Sequence, residues 1–534
     1  MITTAEKTKI RECIELGACY LGLECGSTRI KATLVSPEGV PLAFGTHAWE
    51  NTMVDGMWTY DLDQVKKGMA SCFADLRRDV IRNYEVSFSR FAAAGFSAMM
   101  HGYLVCDSEG KLLVPFRTWR NNITGTASEE LTQLFHFAIP QRWSIAHLHQ
   151  AILNGEEHVG NISFITTLSG YVHWQLSGKK VLGIGDASGM FPVDPKTADF
   201  DRRMLEAYDK HIANRGYSWS IRDILPRVLS AGEAAGSIHG DGAALLDPTG
   251  ELEAGIPLCP PEGDAGTGMV ATNSIEPRRG NVSVGTSVFA MIVLEENLRS
   301  VHEEIDIVAT PDGNPVAMVH SNNGTSDFDA WMNVFSQVCT AMGVQVPTDD
   351  FYRTLMPLIL QSDADAGGLL SIGYVSGEHI TGFTEGRPLV VRTPESNFTL
   401  PNFLRSLVLS SFCALRIGLD ILREKEGVVI DSLKGHGGIF RTAEVGQKML
   451  AAAAAVPVSV AASAGEGGAW GMALLAAYLD RKSEFPELRN LLDSVVGDSE
   501  TKVAPDPKDM DGFLNFFRRY QAGLSIEQAA IESM

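Results

Sequence analysis

Two short clusters place glycine beside small hydroxyl side chains between apolar runs: Gly26, Ser27 and Thr28 in "YLGLECGSTRIKATLV", and Gly285, Thr286 and Ser287 in "RGNVSVGTSVFAMIVLEENL". Gly, Ser and Thr are ordinary turn formers, so either cluster alone reads as the tip of a β-hairpin. A chemical reading is also open. Glycine lets an anion approach exposed backbone N–H groups, and the hydroxyls donate further hydrogen bonds, which together make a phosphate cradle. One such turn in each half of the chain predicts two cradles that face each other and grip a polyphosphate. A third cluster, "EGDAGTG" around Asp264, sets a carboxylate in a Gly-flanked turn that opens a helix. There it serves either as an N-cap or as a group presented for acid–base work.

The elements that must carry these turns are legible in the hydrophobic pattern. The first cluster sits between two strand-like runs, and "GVPLAFGTHAW" supplies a third strand. "DLDQVKKGMASCFADLRRDVIRN" then spaces Leu62, Val65, Met69, Cys72, Phe73, Leu76 and Val80 as one face of an amphipathic helix. "RFAAAGFSAMMHGYLVCDSEG" reads as strand, loop, strand. Residues 120 to 250 carry helical segments such as "EELTQLFHFAI" and "ISFITTLSGYVHWQLSG", an insertion around the first sheet. The second half repeats the outline: a hairpin, then "LPNFLRSLVLSSFCALRIGLDILREKEG" as one long helix stopping at Gly427, then "VVIDSLKGHGGIF" as a strand entering a glycine turn. The segment after Asp480 reads as helices around a Pro-containing loop, a surface cap or dimer contact. The pattern is that of a duplicated α/β fold.

At 534 residues the chain exceeds one core and implies several domains. A net charge of −21 repels nucleic acid and anionic membranes, so a neutral small-molecule partner is expected. Eight cysteines show no CxxC pair and no His-rich companion segment, which indicates neither a zinc site nor a disulfide framework. A reducing, cytoplasmic setting follows, consistent with an N-terminus that lacks the apolar core of a signal peptide. The uncharged stretch from Met449 to Gly465 is mostly alanine, contains Pro457 and is too short to span a membrane.

No GxxxxGK[ST], GxSxG or HExxH motif is present. "GIGDASG" at 183–189 misses the dinucleotide spacing by one residue and lacks an opening helix. The ordered set "GLECGSTRIKATL", "MMHG", "TWRN", "GDASGMFPVD", "AGIPLCPPEGDAGTGMVATN", "VSVGTS", "KGHGGIFRTAEVGQKMLAAAAAVPVSV" and "GEGGAWGMALLAAYL" instead resembles the FGGY carbohydrate kinases, from Tyr20 to about Asp480.

That resemblance implies an α/β chain of two ribonuclease H-like domains of the actin/Hsp70/hexokinase superfamily with an interdomain catalytic cleft. Residues 1–273 would form the sugar-binding domain with the catalytic base, and 274–534 the ATP-binding domain. It implies ATP and Mg²⁺ as cofactors, a sugar as substrate, and a homodimer as a possible assembly. Asp264 takes the role of base. Met100, His101, Trp119, Arg120 and Asp186 shape the sugar pocket, where an aromatic face packs on the C–H side of a sugar and Arg and His reach its hydroxyls. Gly26, Ser27, Thr28, Lys31, Gly285, Thr286, Ser287, Gly437 and Gly438 meet the nucleotide. Glu24 stands where such kinases usually have the Asp that holds Mg²⁺, one methylene longer.

"MHG" is similar to the Met-His-Gly of xylulokinases, while "FRTWRNNITGTASEELTQLFHFAIPQRWSIAHLHQAIL" departs from the xylulokinase pattern and resembles ribulokinase-like relatives. The implied reaction is phosphorylation of a terminal hydroxyl of L-ribulose or D-xylulose. Another polyol or ketose such as L-fuculose or glycerol, a nucleotide-dependent sugar sensor, and an actin-like ATPase are the alternatives. "MMHG", "TWRN" and Asp264 argue against the last, which has no sugar to deprotonate.

Overall fold

In the computed structural model, residues 4–442, 444–460, 467–496 and 501–534 are described, and they fall into two compact units. The first comprises Met1–Ile275, Asp306–Val316 and Glu466–Gly497, and the second Glu276–Ile305, Ala317–Gly465 and Asp498–Met534. The first unit thus recruits two segments that a single cut after residue 273 would assign to the second. Met1–Thr3, the 461–465 end of the alanine-rich stretch and Gly465–Glu466 of the closing "GEGGAWGMALLAAYL" segment lie outside the described residues.

The first unit is built on a five-stranded sheet of β1 (Tyr20–Cys25), β2 (Arg29–Val35), β3 (Pro41–Ala48), β4 (Ala93–Ala98) and β5 (Glu262–Gly263), in the order β5-β4-β1-β2-β3. The three N-terminal strands form an antiparallel meander, and β4 and β5 add in parallel. Helix Leu62–Tyr84 covers β3, capped by Asp61, whose carboxylate accepts the Asp63 N–H at 2.9 Å. Val65, Met69, Cys72, Phe73, Leu76 and Val80 are all buried as the spacing predicts, and Leu62 packs at the rim. Each large apolar side chain so buried contributes about 1.5–3 kcal/mol. Helix Gly467–Arg481 docks on β1 so closely that a Cβ on Gly22 would lie 2.0 Å from the Ala469 carbonyl oxygen.

In the second unit β6 (Arg279–Val284) and β7 (Val288–Val293) form the second antiparallel hairpin. β8 (Ser432–Gly437) runs parallel to β6, followed by β9 (Val458–Val460) and antiparallel β10 (Thr501–Val503). The strand β10 and the 27-residue helix Pro507–Ser533 come from the segment after Asp480. Phe513, Phe516 and Tyr520 of that helix are fully buried, which makes it a core element of this unit.

Three local expectations need revision. The long helix from Leu400 is two helices, Leu400–Ser410 and Cys413–Asp420, continued by a π-turn at Ile421–Lys425. The Ser411 hydroxyl donates to the Gly324 carbonyl at 2.8 Å, and the Phe412 N–H turns to Leu409 in i−3 fashion, so the helical ladder breaks between them. "ISFITTLSGYVHWQLSG" is a strand, Phe164–Thr166, followed by helix Leu168–Ser177. "GIGDASG" does contain a helical turn, Ile184–Ala187. All eight cysteines are free, and no described helix is long and apolar enough to cross a membrane.

Candidate active site

In the first unit the hairpin register sets Glu24 directly opposite Lys31, so both side chains leave the same face of the sheet beside the Gly26–Thr28 turn. Ser27, Thr28 and Lys31 are exposed. Glu24 Oε2 is shut off from solvent without a direct hydrogen bond, although Lys31 and the N–H groups of Gly468 and Ala469 face its carboxylate. A Cβ on Gly468 would lie 2.7 Å from both Glu24 Oε2 and Thr267 Oγ1, so only glycine leaves that carboxylate its place. Burial, the largest influence, raises the Glu24 pKa against those partners. An orphaned, buried carboxylate oxygen is a donor that fits a hard divalent cation or its water.

Asp264 begins helix Asp264–Ala271 at the end of β5. It does not serve as the N-cap: Gly263 holds that position. Its Oδ1 accepts the backbone N–H of Met100 at 3.2 Å, tying it to the loop that follows β4. Burial first, then the neighbouring charges of Glu24 and Asp186, push its pKa up to about 7. Such a carboxyl is poised to take a proton near neutral pH.

Asp186 is fully buried. Its Oδ2 accepts the Thr167 hydroxyl at 2.6 Å and the Ser169 hydroxyl, while Oδ1 has no hydrogen-bond partner. Burial raises its pKa to about 6. The turn that carries it is capped from outside: the Glu262 carboxylate accepts the N–H groups of Gly185 at 3.3 Å and Asp186 at 2.9 Å. Glu262, itself 1% exposed, is displaced well toward the neutral acid, by burial and then by Asp186. Sequence reasoning missed this residue although it stands two positions before Asp264. The Gly183 N–H, which donates to the Pro261 carbonyl at 2.8 Å, ties the 183–186 turn to the chain entering β5.

Met100 and His101 lie in the same neighbourhood. Gly263 packs so closely on Met100 that a Cβ there would meet its Cγ at 2.1 Å, and the same Cβ would be 3.1 Å from Asp186 Oδ1. His101 has φ +68°, is buried, shares a hydrogen bond of 3.1 Å between Nδ1 and the Gly189 carbonyl, and stacks on Trp143. Trp119 and Arg120 follow Arg117, whose backbone pairs with Tyr103 just after the Met-His-Gly loop. The Arg120 guanidinium lies over the rings of Trp58 (4.9 Å) and Trp119 (5.8 Å). Trp49 and Tyr60, with ring centroids 4.4 Å apart, hydrogen-bond the Gly26 and Ser27 carbonyls at 2.7 and 2.6 Å. These aromatic anchors of the first turn were not singled out from sequence.

In the second unit the parallel pairing of β6 with β8 sets Val284 opposite Gly437, which brings Gly437 and Gly438 beside the Gly285–Ser287 tip. Gly437 has φ +112°, and a Cβ on it would lie 2.1 Å from the Val284 carbonyl oxygen, so two independent constraints demand glycine. Nothing lies within 4 Å of a Cβ built on Gly285 or Gly438, which leaves both open to a ligand. The tip is braced by the N–H groups of Gly324 and Thr325, which donate to the Thr286 and Gly285 carbonyls at 2.7 and 2.8 Å. Behind that brace the buried Glu378 carboxylate collects Ser321, Asn322 and Asn323 donors, another residue the sequence pattern did not expose.

Residues 19–270 match the N-terminal domain of the FGGY family of carbohydrate kinases, and residues 280–479 match its C-terminal domain. The xylulose kinase of Haemophilus influenzae is 21% identical over 522 residues, covering 95% of this chain and 99% of the relative. The L-fuculokinase of Escherichia coli K12 is 24% identical over 253 residues, 45% of this chain and 49% of the relative. The solved structure of ligand-bound xylulose kinase from Lactobacillus acidophilus shares the fold with a TM-score of 0.77 at 16% identity, over 95% of this chain and 98% of that one.

Proposed function

We propose that this chain, which belongs to the FGGY family of carbohydrate kinases, transfers the γ-phosphoryl group of ATP to the terminal O5 hydroxyl of a ketopentose, D-xylulose or L-ribulose. Family membership makes it a sugar phosphotransferase; the donor, acceptor and residue roles are our reading. The observation that carries it is the hydrogen bond from the Met100 N–H to Asp264 Oδ1, which couples the Met-His-Gly loop to a carboxyl whose pKa lies at about 7. The full-length likeness to a xylulose kinase supports the five-carbon acceptor.

In this reading Asp264 accepts the O5 proton as the hydroxyl attacks phosphorus. The unpartnered Asp186 Oδ1 accepts a sugar hydroxyl, and Met100 and His101 fix the acceptor's orientation. Trp119 and Arg120 complete the pocket wall. Lys31 and the Gly26–Thr28 turn donate to phosphate oxygens, and in the second unit Gly285–Ser287 and Gly437–Gly438 hold the nucleotide. Glu24, with its orphaned Oε2, would hold Mg²⁺ directly or through water. Mg²⁺, when bound, neutralises charge on the transferring group.

Coupled ADP-release assays across D-xylulose, L-ribulose, D-ribulose, L-xylulose, L-fuculose and glycerol test the acceptor. A buried group left unpaired by an inverted or missing hydroxyl costs about 1–3 kcal/mol. One ketopentose should therefore lead kcat/KM by roughly tenfold or more per mismatched hydroxyl. A profile led by glycerol or L-fuculose would overturn the pentose assignment, and sugar-independent ADP release would overturn the acceptor chemistry altogether.

A further inference from the structure

Sugar phosphorylation leaves one cluster of donors in the first unit unused. Glu130, His149 and His211 come from three separate helices, Gly125–Phe135, Ser144–Leu153 and Arg202–Ile212, and each offers a ligand atom within 4.8 Å of the other two. Their positions in sequence have no metal-binding spacing, so packing of the first helix against the other two alone assembles them. His149 is the buried member, 2% exposed, and its ring is oriented from behind. Nδ1 approaches the hydroxyl of the fully buried Tyr208 at 3.5 Å, which turns Nε2 toward the surface, 3.1 Å from Glu130 Oε2. His211, one helical turn beyond Tyr208, brings its ring centroid to 5.4 Å from that of His149. A ligating imidazole with its second nitrogen held by a protein hydroxyl is the outer-shell arrangement metal sites use. Arg215 also faces His149, and Glu130 is the anion that offsets it.

We propose that Glu130, His149 and His211 form a zinc-class metal site that clips these three helices together. Two imidazole nitrogens and one carboxylate oxygen suit Zn²⁺, with water completing a tetrahedral set, whereas Mg²⁺ and Ca²⁺ prefer all-oxygen shells. The hydrogen bond between Glu130 and His149 holds two ligands near their binding positions, and metal entry replaces it. His211 then has a defined partner, and the last turn of its helix is fixed to the other two.

The test is titration of chelator-treated full-length protein with Co²⁺, followed by the visible d–d absorption of a low-coordinate site. One equivalent should develop the bands and Zn²⁺ should abolish them. His211→Ala, a surface change that leaves the fold intact, and Glu130→Gln should each weaken binding by at least the ~10–100-fold that loss of an outer-shell partner causes. Zn²⁺ should raise the unfolding temperature of the parent and leave that of His211→Ala unmoved. Absence of a stoichiometric Co²⁺ spectrum, or a spectrum unchanged in His211→Ala, would overturn the site.

Discussion

Glu262 reaches across to the turn that carries Asp186 and accepts its backbone N–H at 2.9 Å, so one buried carboxyl sets the position of another. Burial and the Asp186 charge hold Glu262 well toward its neutral form. Its two oxygens accept one backbone N–H each, and an amide of the same size keeps only one acceptor. Glu262→Gln should therefore lose about 1–2 kcal/mol in urea unfolding, with one N–H left facing an NH2 group. Glu262→Ala should lose about 2–4 kcal/mol, since it strands the Gly185 and Asp186 N–H groups and opens a cavity. Equal losses in the two variants would show that the acceptor oxygen retained by Gln contributes nothing to holding the turn.

Asp264 gives a pH signature. Its pKa stands at about 7 against an ordinary 3.8, because burial and Glu24 disfavour the anion. The folded state thus keeps a proton that the unfolded chain releases. The stability from that proton is complete below about pH 3.8 and is lost as pH rises through about 7. Asp264→Asn should accordingly be more stable than the parent at pH 8 and similar at low pH, as read by thermal unfolding. Its kcat should fall about 10²–10⁴-fold. In the parent, kcat/KM should drop on the acid side of pH 7 as the base becomes protonated. Turnover retained by Asp264→Asn would remove Asp264 from the chemistry.

What the sequence disclosed and what it withheld divide along a physical line. Val65, Met69, Cys72, Phe73, Leu76 and Val80 were readable because a helix against a sheet writes its period into neighbouring residues. The two glycine–hydroxyl turns were readable because β-hairpins close locally. Glu262 beneath Asp186, Glu378 behind the Gly285 tip, and Tyr60 on the Ser27 carbonyl were not, since each joins residues 33 to 76 positions apart with no local pattern. The break at Ser411 was hidden for the same reason: the acceptor that diverts its hydroxyl is Gly324. Trp58, whose ring lies under the Arg120 guanidinium, comes from a short hairpin at 52–59 that the pattern did not mark.

In the proposed reaction Gly437 probes the nucleotide side alone. At φ +112°, with a Cβ 2.1 Å from the Val284 carbonyl oxygen, alanine must push β8 away from the second hairpin. Gly437→Ala should raise KM for ATP and destabilise the second unit, while sugar binding measured by calorimetry without nucleotide stays within twofold of the parent, roughly 0.4 kcal/mol. A sugar affinity that falls in step with ATP affinity would place Gly437 outside a nucleotide-specific role.

Glu24 and Gly468 form the last pair. Glu24 is one methylene longer than the Asp usual at that position, and its Oε2 sits where a Gly468 Cβ would approach to 2.7 Å. If Glu24 holds Mg²⁺, Glu24→Ala should lower phosphoryl transfer sharply and shift its Mg²⁺ dependence to higher concentration, whereas Glu24→Asp, which keeps the charge, should retain or improve transfer. Gly468→Ala should reproduce the Glu24→Ala shift without touching a charge, because its methyl group displaces the carboxylate. Helix Gly467–Arg481 must yield a little to admit that methyl, so circular dichroism should accompany the kinetics to confirm an intact fold. Identical Mg²⁺ midpoints for the parent, Glu24→Ala and Gly468→Ala would remove Glu24 from metal binding.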